Sequence, residues 1–172
     1  MPIQRLNHAV LYVRNVEKSV AFYTDVLGFR TVMQMGTAAA FLQASASTND
    51  HDLGLFQLGD AASPSDAGRT TVGMYHLAWE VQTLGDLADV AAALTSAGAL
   101  VGASDHGSTK SLYGKDPDGL EFEIVWLVPL DLLDATAIEA SSSIGPLDLQ
   151  AEIDRYGIDT ASGIGVSSPA HA

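Results

Sequence analysis

The chain has 172 residues, 47% of them hydrophobic, and a formal charge of -13 from 21 acidic and 8 basic side chains. That is enough apolar sequence for one domain or two small modules sharing a core, while the acidic excess repels nucleic-acid backbones and anionic membrane surfaces. With no cysteine, disulfides, thiolate metal sites and cysteine nucleophiles are excluded.

No apolar run approaches the ~18 residues of a membrane span. Met1-Pro-Ile-Gln-Arg5 is not followed by a long apolar stretch, so no secretory signal is expected and the chain reads as cytoplasmic. Asn7–Val13 reads as a buried strand with His8, Val10 and Tyr12 on one face. Asn15 can cap a helix whose inward stripe is Val16, Val20, Tyr23 and Leu27, and Gly28 follows as its stop. Phe29–Met35, Ala38–Ala44 and Leu53–Leu58 are strand patterns, so the first module (1–58) runs β-α-β-β-β.

Residues 59–70 are rich in Ala, Ser, Asp, Gly and Pro and read as a linker. The order then repeats over 71–128. Tyr75–Val81 is a strand with His76, Ala78 and Glu80 on one face, Thr83 and Asp86 form a capping box, and Gly98 ends the helix. Leu100–Ala103 is a short strand. A hairpin of Leu112–Lys115 and Leu120–Trp126 follows, turned by Asp116-Pro-Asp-Gly119. The hairpin brings Tyr113 near Glu123, and the pleat puts Glu121, Glu123 and Val125 opposite Leu120, Phe122, Ile124 and Trp126. Beyond Pro129, the extension 129–172 has partly helical patterns at Leu130–Glu139 and Pro146–Tyr156, which either cap a cleft or form a dimer contact. An Ala/Ser/Gly-rich tail follows from Thr160, expected to be disordered; His171 within it is given no role.

The chain is therefore an internal duplication, with His8 and His76 at matching places. Taken singly, each histidine reads more readily as a core imidazole bonded to backbone, and Glu123 as a solvent-facing strand residue. Taken together, two imidazoles and one carboxylate are the ligand set that holds non-haem Fe(II) with coordination positions to spare.

Phe22-Tyr-Thr-Asp-Val-Leu-Gly-Phe29 resembles the first-helix signature of the vicinal oxygen chelate superfamily, the glyoxalase/bleomycin-resistance/dioxygenase group, and the likeness spans residues 5–128. His106, Leu112-Tyr113, Asp116-Pro-Asp-Gly119 and Glu123 are similar to the signature of type I extradiol ring-cleaving dioxygenases. The resemblance implies an α+β fold of two paired βαβββ modules, forming an open, cleft-lining β-sheet barrel, with a C-terminal extension. It implies metal ligation by His8, His76 and Glu123, the gap after Gly119 selecting Glu123 over Glu121. Fe(II) is the implied cofactor, with Mn(II) an alternative.

His106 and Tyr113 would act on a catechol-like diol in a reaction with dioxygen, as proton donor and hydrogen-bonding partner. A homo-oligomer is expected, with no nucleic-acid or membrane partner. Larger members carry two such domains, of which this chain would be the catalytic one. The pattern departs at Ser104, and no further histidine lies in Gly59–Tyr75; His51 is the spare imidazole. Two other readings are a glyoxalase-type metal-dependent lyase, isomerase or transferase, and a metal-free drug-binding protein. The first draws a carboxylate from the closing strand of the first module, where Leu53–Leu58 has only Gln57. The second would not need His8, His76 and Glu123 together.

Overall fold

The computed structural model describes residues 2–3, 5–68 and 70–163. It divides into two compact units, Met1–Asp66 with Asp116–Leu120, and Ala67–Lys115 with Glu121–Ala172.

The first unit holds β1 (Ala9–Val13), α1 (Val16–Asp25), β2 (Arg30–Met35), β3 (Ala39–Gln43) and β4 (Leu53–Gln57) in a sheet of order β1-β4-β3-β2. β1 and β4 run parallel, with Ala9 opposite Leu53 and Val13 opposite Gln57; the other pairs are antiparallel. Asn15 caps α1 as expected, its side-chain oxygen accepting from the Lys18 amide at 2.9 Å. Leu11, Val13, Val16, Tyr23, Leu42, Leu53 and Leu55 form the core. Truncating a leucine among them costs about 2–5 kcal/mol. β1 is buried on one face only: Leu11 and Val13 point inward, while His8, Val10 and Tyr12 stay exposed. β2 is the edge strand, exposed along its length and bulged between Thr31 and Met33, a device that blunts an open edge.

The Asp116–Leu120 turn packs in this unit. Arg14 donates to Asp118 through Nη1 at 2.8 Å and through its backbone amide at 3.0 Å. The Tyr23 hydroxyl donates to Asp116 Oδ2 at 3.3 Å. Burial pushes the Asp116 carboxyl above its ordinary range, against the pull of the amides of Leu120 and Asp118 that donate to it. A folded-state value raised above the unfolded one gives stability that is fully present below the unfolded pKa and lost as pH rises through the folded one. Asp116→Asn keeps the acceptor oxygen but cannot ionise. Its stability relative to the native chain is therefore expected to rise with pH from about 4 and then level off, as urea melts at several pH values would show. A difference that does not vary with pH would contradict this.

The second unit repeats the plan with β5 (Leu77–Glu80), α2 (Leu84–Ser96), β6 (Leu100–Asp105), β7 (Thr109–Lys115) and β8 (Glu121–Leu127), in the order β5-β8-β7-β6. The parallel first pair recurs, with Ala78 opposite Glu123. This identity of strand order and direction is what a duplication requires. Thr83 and Asp86 form the complete capping box, and Gly98 at φ +64° turns the chain out of the helix. Leu84, Leu87 and Leu94 meet Leu112, Phe122, Ile124 and Trp126 in the core. β8 alternates as its sequence predicts, and the Phe122 ring lies where a Cβ on Gly114 would be.

β6 and β7 both reach further than the hydrophobic pattern suggests, β6 to Asp105 and β7 back to Thr109. The polar run Thr109-Lys-Ser111 hides the second extension, because Lys110 is a buried strand residue with 1% of its side chain exposed. His106 thus sits in a tight turn instead of a long loop.

After β8 come α3 (Ala135–Ala140) and α4 (Leu149–Tyr156), capped by Asp134 and Asp148. α4 packs on α2. Thr160–Gly163 are fixed, contrary to their composition. The Trp126 indole and the Leu84 amide donate to the Thr160 carbonyl at 3.0 and 3.1 Å, and the Gly163 amide donates to Leu127 at 2.9 Å. The Trp126 and Leu84 donors need an acceptor, and the Thr160 carbonyl supplies it. The rest of the expected disordered tail, including His171, lies outside the described residues. Among the described residues, no helix is long and apolar enough to cross a membrane.

Candidate metal and acid–base site

His76 immediately precedes β5, two residues before Ala78 and so on the same face of the pleat. Ala78 pairs with Glu123 across the parallel ladder, which leaves His76 diagonal to Glu123. Their side chains meet, His76 Nε2 lying 3.1 Å from Glu123 Oε2 with the carboxylate only 14% exposed. Tyr113 is the direct cross-strand partner of Glu123 from the other side, as the hairpin reading predicts. The Tyr113 hydroxyl lies 3.0 Å from His106 Nε2. Four of the five predicted residues are thereby joined on one sheet face, in the sequence His106, Tyr113, Glu123, His76.

Burial first, then the charge of Glu123 and a hydrogen bond to it, raise the Tyr113 phenol above the ordinary tyrosine value. Tyr113 is therefore a neutral phenol at physiological pH, able to donate through its proton and accept at its oxygen. His76 Nδ1 is buried with no hydrogen-bond partner. An orphaned ring nitrogen together with an imidazole–carboxylate pair at 3.1 Å suits a divalent cation that accepts N and O donors.

His8 lies in the first unit. Its Nδ1 is 2.7 Å from Asn7 Oδ1. An amide oxygen only accepts, so Nδ1 is the donor and Nε2 is the nitrogen left out of that bond, as in imidazoles that bind metal through one nitrogen and are oriented through the other. His51 lies beside His8 with ring centroids 4.5 Å apart; Phe41 stands edge-on to His51, and Asp50 pairs with it at 3.2 Å. Among the described residues, no three His, Cys, Asp or Glu side chains form a ready-made metal cluster.

Three residues around His106 escaped the sequence reading. Asp105, Lys110 and Glu152 form a buried ion network, with Lys110 Nζ 2.6 Å from Asp105 Oδ1 and 3.0 Å from Glu152 Oε2. A lysine inside an otherwise strand-like run was the one local signal.

Residues 5–124 match the Glyoxalase/Bleomycin resistance protein/Dioxygenase superfamily. The chain is 35% identical over 121 residues to a biphenyl-2,3-diol 1,2-dioxygenase of Rhodococcus globerulus, covering 70% of this chain and 62% of that protein. It is 27% identical over 119 residues to catechol-2,3-dioxygenase of Bacillus subtilis (strain 168), covering 69% of this chain and 40% of that one. The chain thus spans less than two thirds of either relative. Among solved structures, a glyoxylase/bleomycin resistance protein/dioxygenase domain from Frankia sp. EAN1pec shares the fold, with a TM-score of 0.60 at 21% identity, covering 74% of this chain and 94% of that one. Duplicated βαβββ units and a match across most of the sequence agree: the chain belongs to the Glyoxalase/Bleomycin resistance protein/Dioxygenase superfamily.

Proposed function

We propose that this chain is a metal-dependent extradiol dioxygenase, opening a catechol-like ring beside its two hydroxyls with dioxygen. The observation that carries this reading is the continuous run His106–Tyr113–Glu123–His76 on one sheet face. In this reading, His106 and Tyr113 serve as acid–base groups beside His76 and Glu123 as metal ligands. The dioxygenase names of the relatives support the same reaction class.

In this reading His8, His76 and Glu123 hold Fe(II) or Mn(II). The bound metal supplies coordination for the two diol oxygens and a route for electrons between the ring and dioxygen. The protein's share is orientation and proton handling. Asn7 holds the His8 ring. The Tyr113 hydroxyl neighbours both Glu123 and His106 Nε2, and as a neutral phenol it can donate to one and accept from the other. A diol that binds as its anion must release protons, and the opened product must recover one. His106, whose Nε2 lies 3.0 Å from Tyr113 Oη, is the group that takes up and returns that proton. Glyoxalase-type chemistry is less well supported. The closing strand β4 offers no carboxylate, and the Gln57 amide oxygen is already accepting from the Val16 amide at 3.1 Å.

The test is dioxygen consumption by Fe(II)-loaded protein across a panel of substituted catechols. Consumption accompanied by a ring-opened product is expected. Tight binding of one metal per chain with no consumption by any catechol would favour lyase or isomerase chemistry instead.

A further inference from the structure

We propose that the segment after Pro129 is a brace for the His106 turn, and that Glu152, Lys110 and Asp105 are positioning residues for the His106–Tyr113 pair. The proposal rests on the acid–base role of His106 given above.

The segment grips the turn at three places. Asp105 and Gly145 exchange two backbone hydrogen bonds, each 2.9 Å. Gly107, at φ +72°, lies directly under the backbone of α3. A Cβ there would overlap the Ala137 carbonyl oxygen and the Ser141 amide, so only glycine allows this approach. The third grip is ionic. Glu152 on α4 holds the Lys110 ammonium, which donates to Asp105 Oδ1 at 2.6 Å. The same Asp105 oxygen accepts from the Gly107 amide at 2.7 Å. His106 is the residue between those two anchored positions.

The placement has a physical reason. Lys110 shares its strand face with Leu112, opposite to that of Tyr113, and its ammonium is 5.9 Å from the centre of the Tyr156 ring. Taking a lysine out of water is costly unless carboxylates surround it, and one of its two carboxylates comes from α4. The second-module sheet supplies one carboxylate to its buried cation, Asp105 on β6, and the extension supplies the other. The partner supplied from the extension makes the geometry behind His106 depend on residues outside the duplicated modules.

The experiment reads His106 directly, by imidazole nitrogen NMR on the metal-free full chain, with His106→Gln for assignment. The native spectrum is expected to show one fixed tautomer at His106. In Glu152→Ala that signal should move toward the averaged, free-imidazole position, while Glu152→Gln, which keeps an oxygen acceptor, should lie nearer the native one. With Fe(II) loaded, Glu152→Ala should lower kcat about tenfold, less than the ~10²-fold that a full 1 Å misplacement can cost, with KM and metal content unchanged. If Glu152→Ala does not fold, Glu152→Gln carries the test, with a smaller displacement in the same direction. His106 signals that superimpose on the native ones in the folded variant would overturn the proposal, as would an unchanged kcat. If the native chain opens no catechol while the His106 signals move as described, the brace stands and the dioxygenase reading fails.

Discussion

Replacing Glu123 with alanine is expected to strip the metal and lower ring cleavage by at least about a thousandfold. Loss of a group that only orients a ligand costs about 10- to 100-fold in metal affinity, and loss of a ligand itself exceeds that. The effect has a second source in this fold. Glu123 lies beside both His76 and Tyr113, so its removal leaves His76 with neither nitrogen engaged, Nδ1 being already unpartnered. Metal content after dialysis separates the ligands from their neighbours. Glu123→Ala, His76→Ala and His8→Ala should each retain less than the native chain. Tyr113→Phe should retain all of it and lose only turnover. A Glu123→Ala protein that keeps a full metal complement would remove Glu123 from the ligand set.

Lys110→Met is expected to cost about 3–5 kcal/mol, the range for breaking a buried ion pair from one side. In a chain of this size that lowers the melting midpoint by on the order of 10 °C. The loss of packing is small, since methionine fills much the same space. The cost arises because Glu152, 12% exposed, and Asp105, 27% exposed, are left without their cation. Adding Glu152→Met to Lys110→Met should therefore recover part of the loss, because replacing both members of a buried pair with apolar groups is far milder than orphaning one. Thermal unfolding of the two single variants and the double decides the matter. A double variant less stable than Lys110→Met would show that packing, not stranded charge, sets the cost.

The two results depend on information of different kinds, and so did their legibility in the sequence. Asn15, Thr83, Asp86 and Gly98 act within one helical turn of where they stand, so the limits of α1 and α2 could be read locally. The pairing of Tyr113 with Glu123 was legible for the same reason, because Asp116–Gly119 fixes the hairpin register and the pleat then decides which side chains meet. Lys110 was not. A buried lysine is a contradiction until its partner is known, and Glu152 lies forty-two positions further on. The ends of β6 and β7 extend further for the same reason, since Asp105, Thr109 and Ser111 are polar and show no strand pattern without the packing that half-buries the first two and buries the third. Thr160–Gly163 followed the same rule: an Ala/Ser/Gly-rich stretch carries no sign that Trp126 and Leu84 both require the Thr160 carbonyl. His51 was noticed only as a spare imidazole, and its stacking on His8 depends on how Asp50 and Phe41 hold it.

Of the site residues singled out in the sequence, the structure places His106, Tyr113, Glu123 and His76 next to one another. Each lies on, or adjoins, a strand whose neighbour is fixed by the duplicated β5-β8-β7-β6 order.

The most direct test is the ratio of dioxygen consumed to ring-opened product formed, measured on Fe(II)-loaded protein with a substituted catechol, native chain against His76→Ala. One dioxygen per ring opened by the native chain, with no product from the variant, is the result expected of a ring-opening site built on His76, Glu123, Tyr113 and His106. Dioxygen consumption that survives in His76→Ala, or that yields no opened ring, would contradict it.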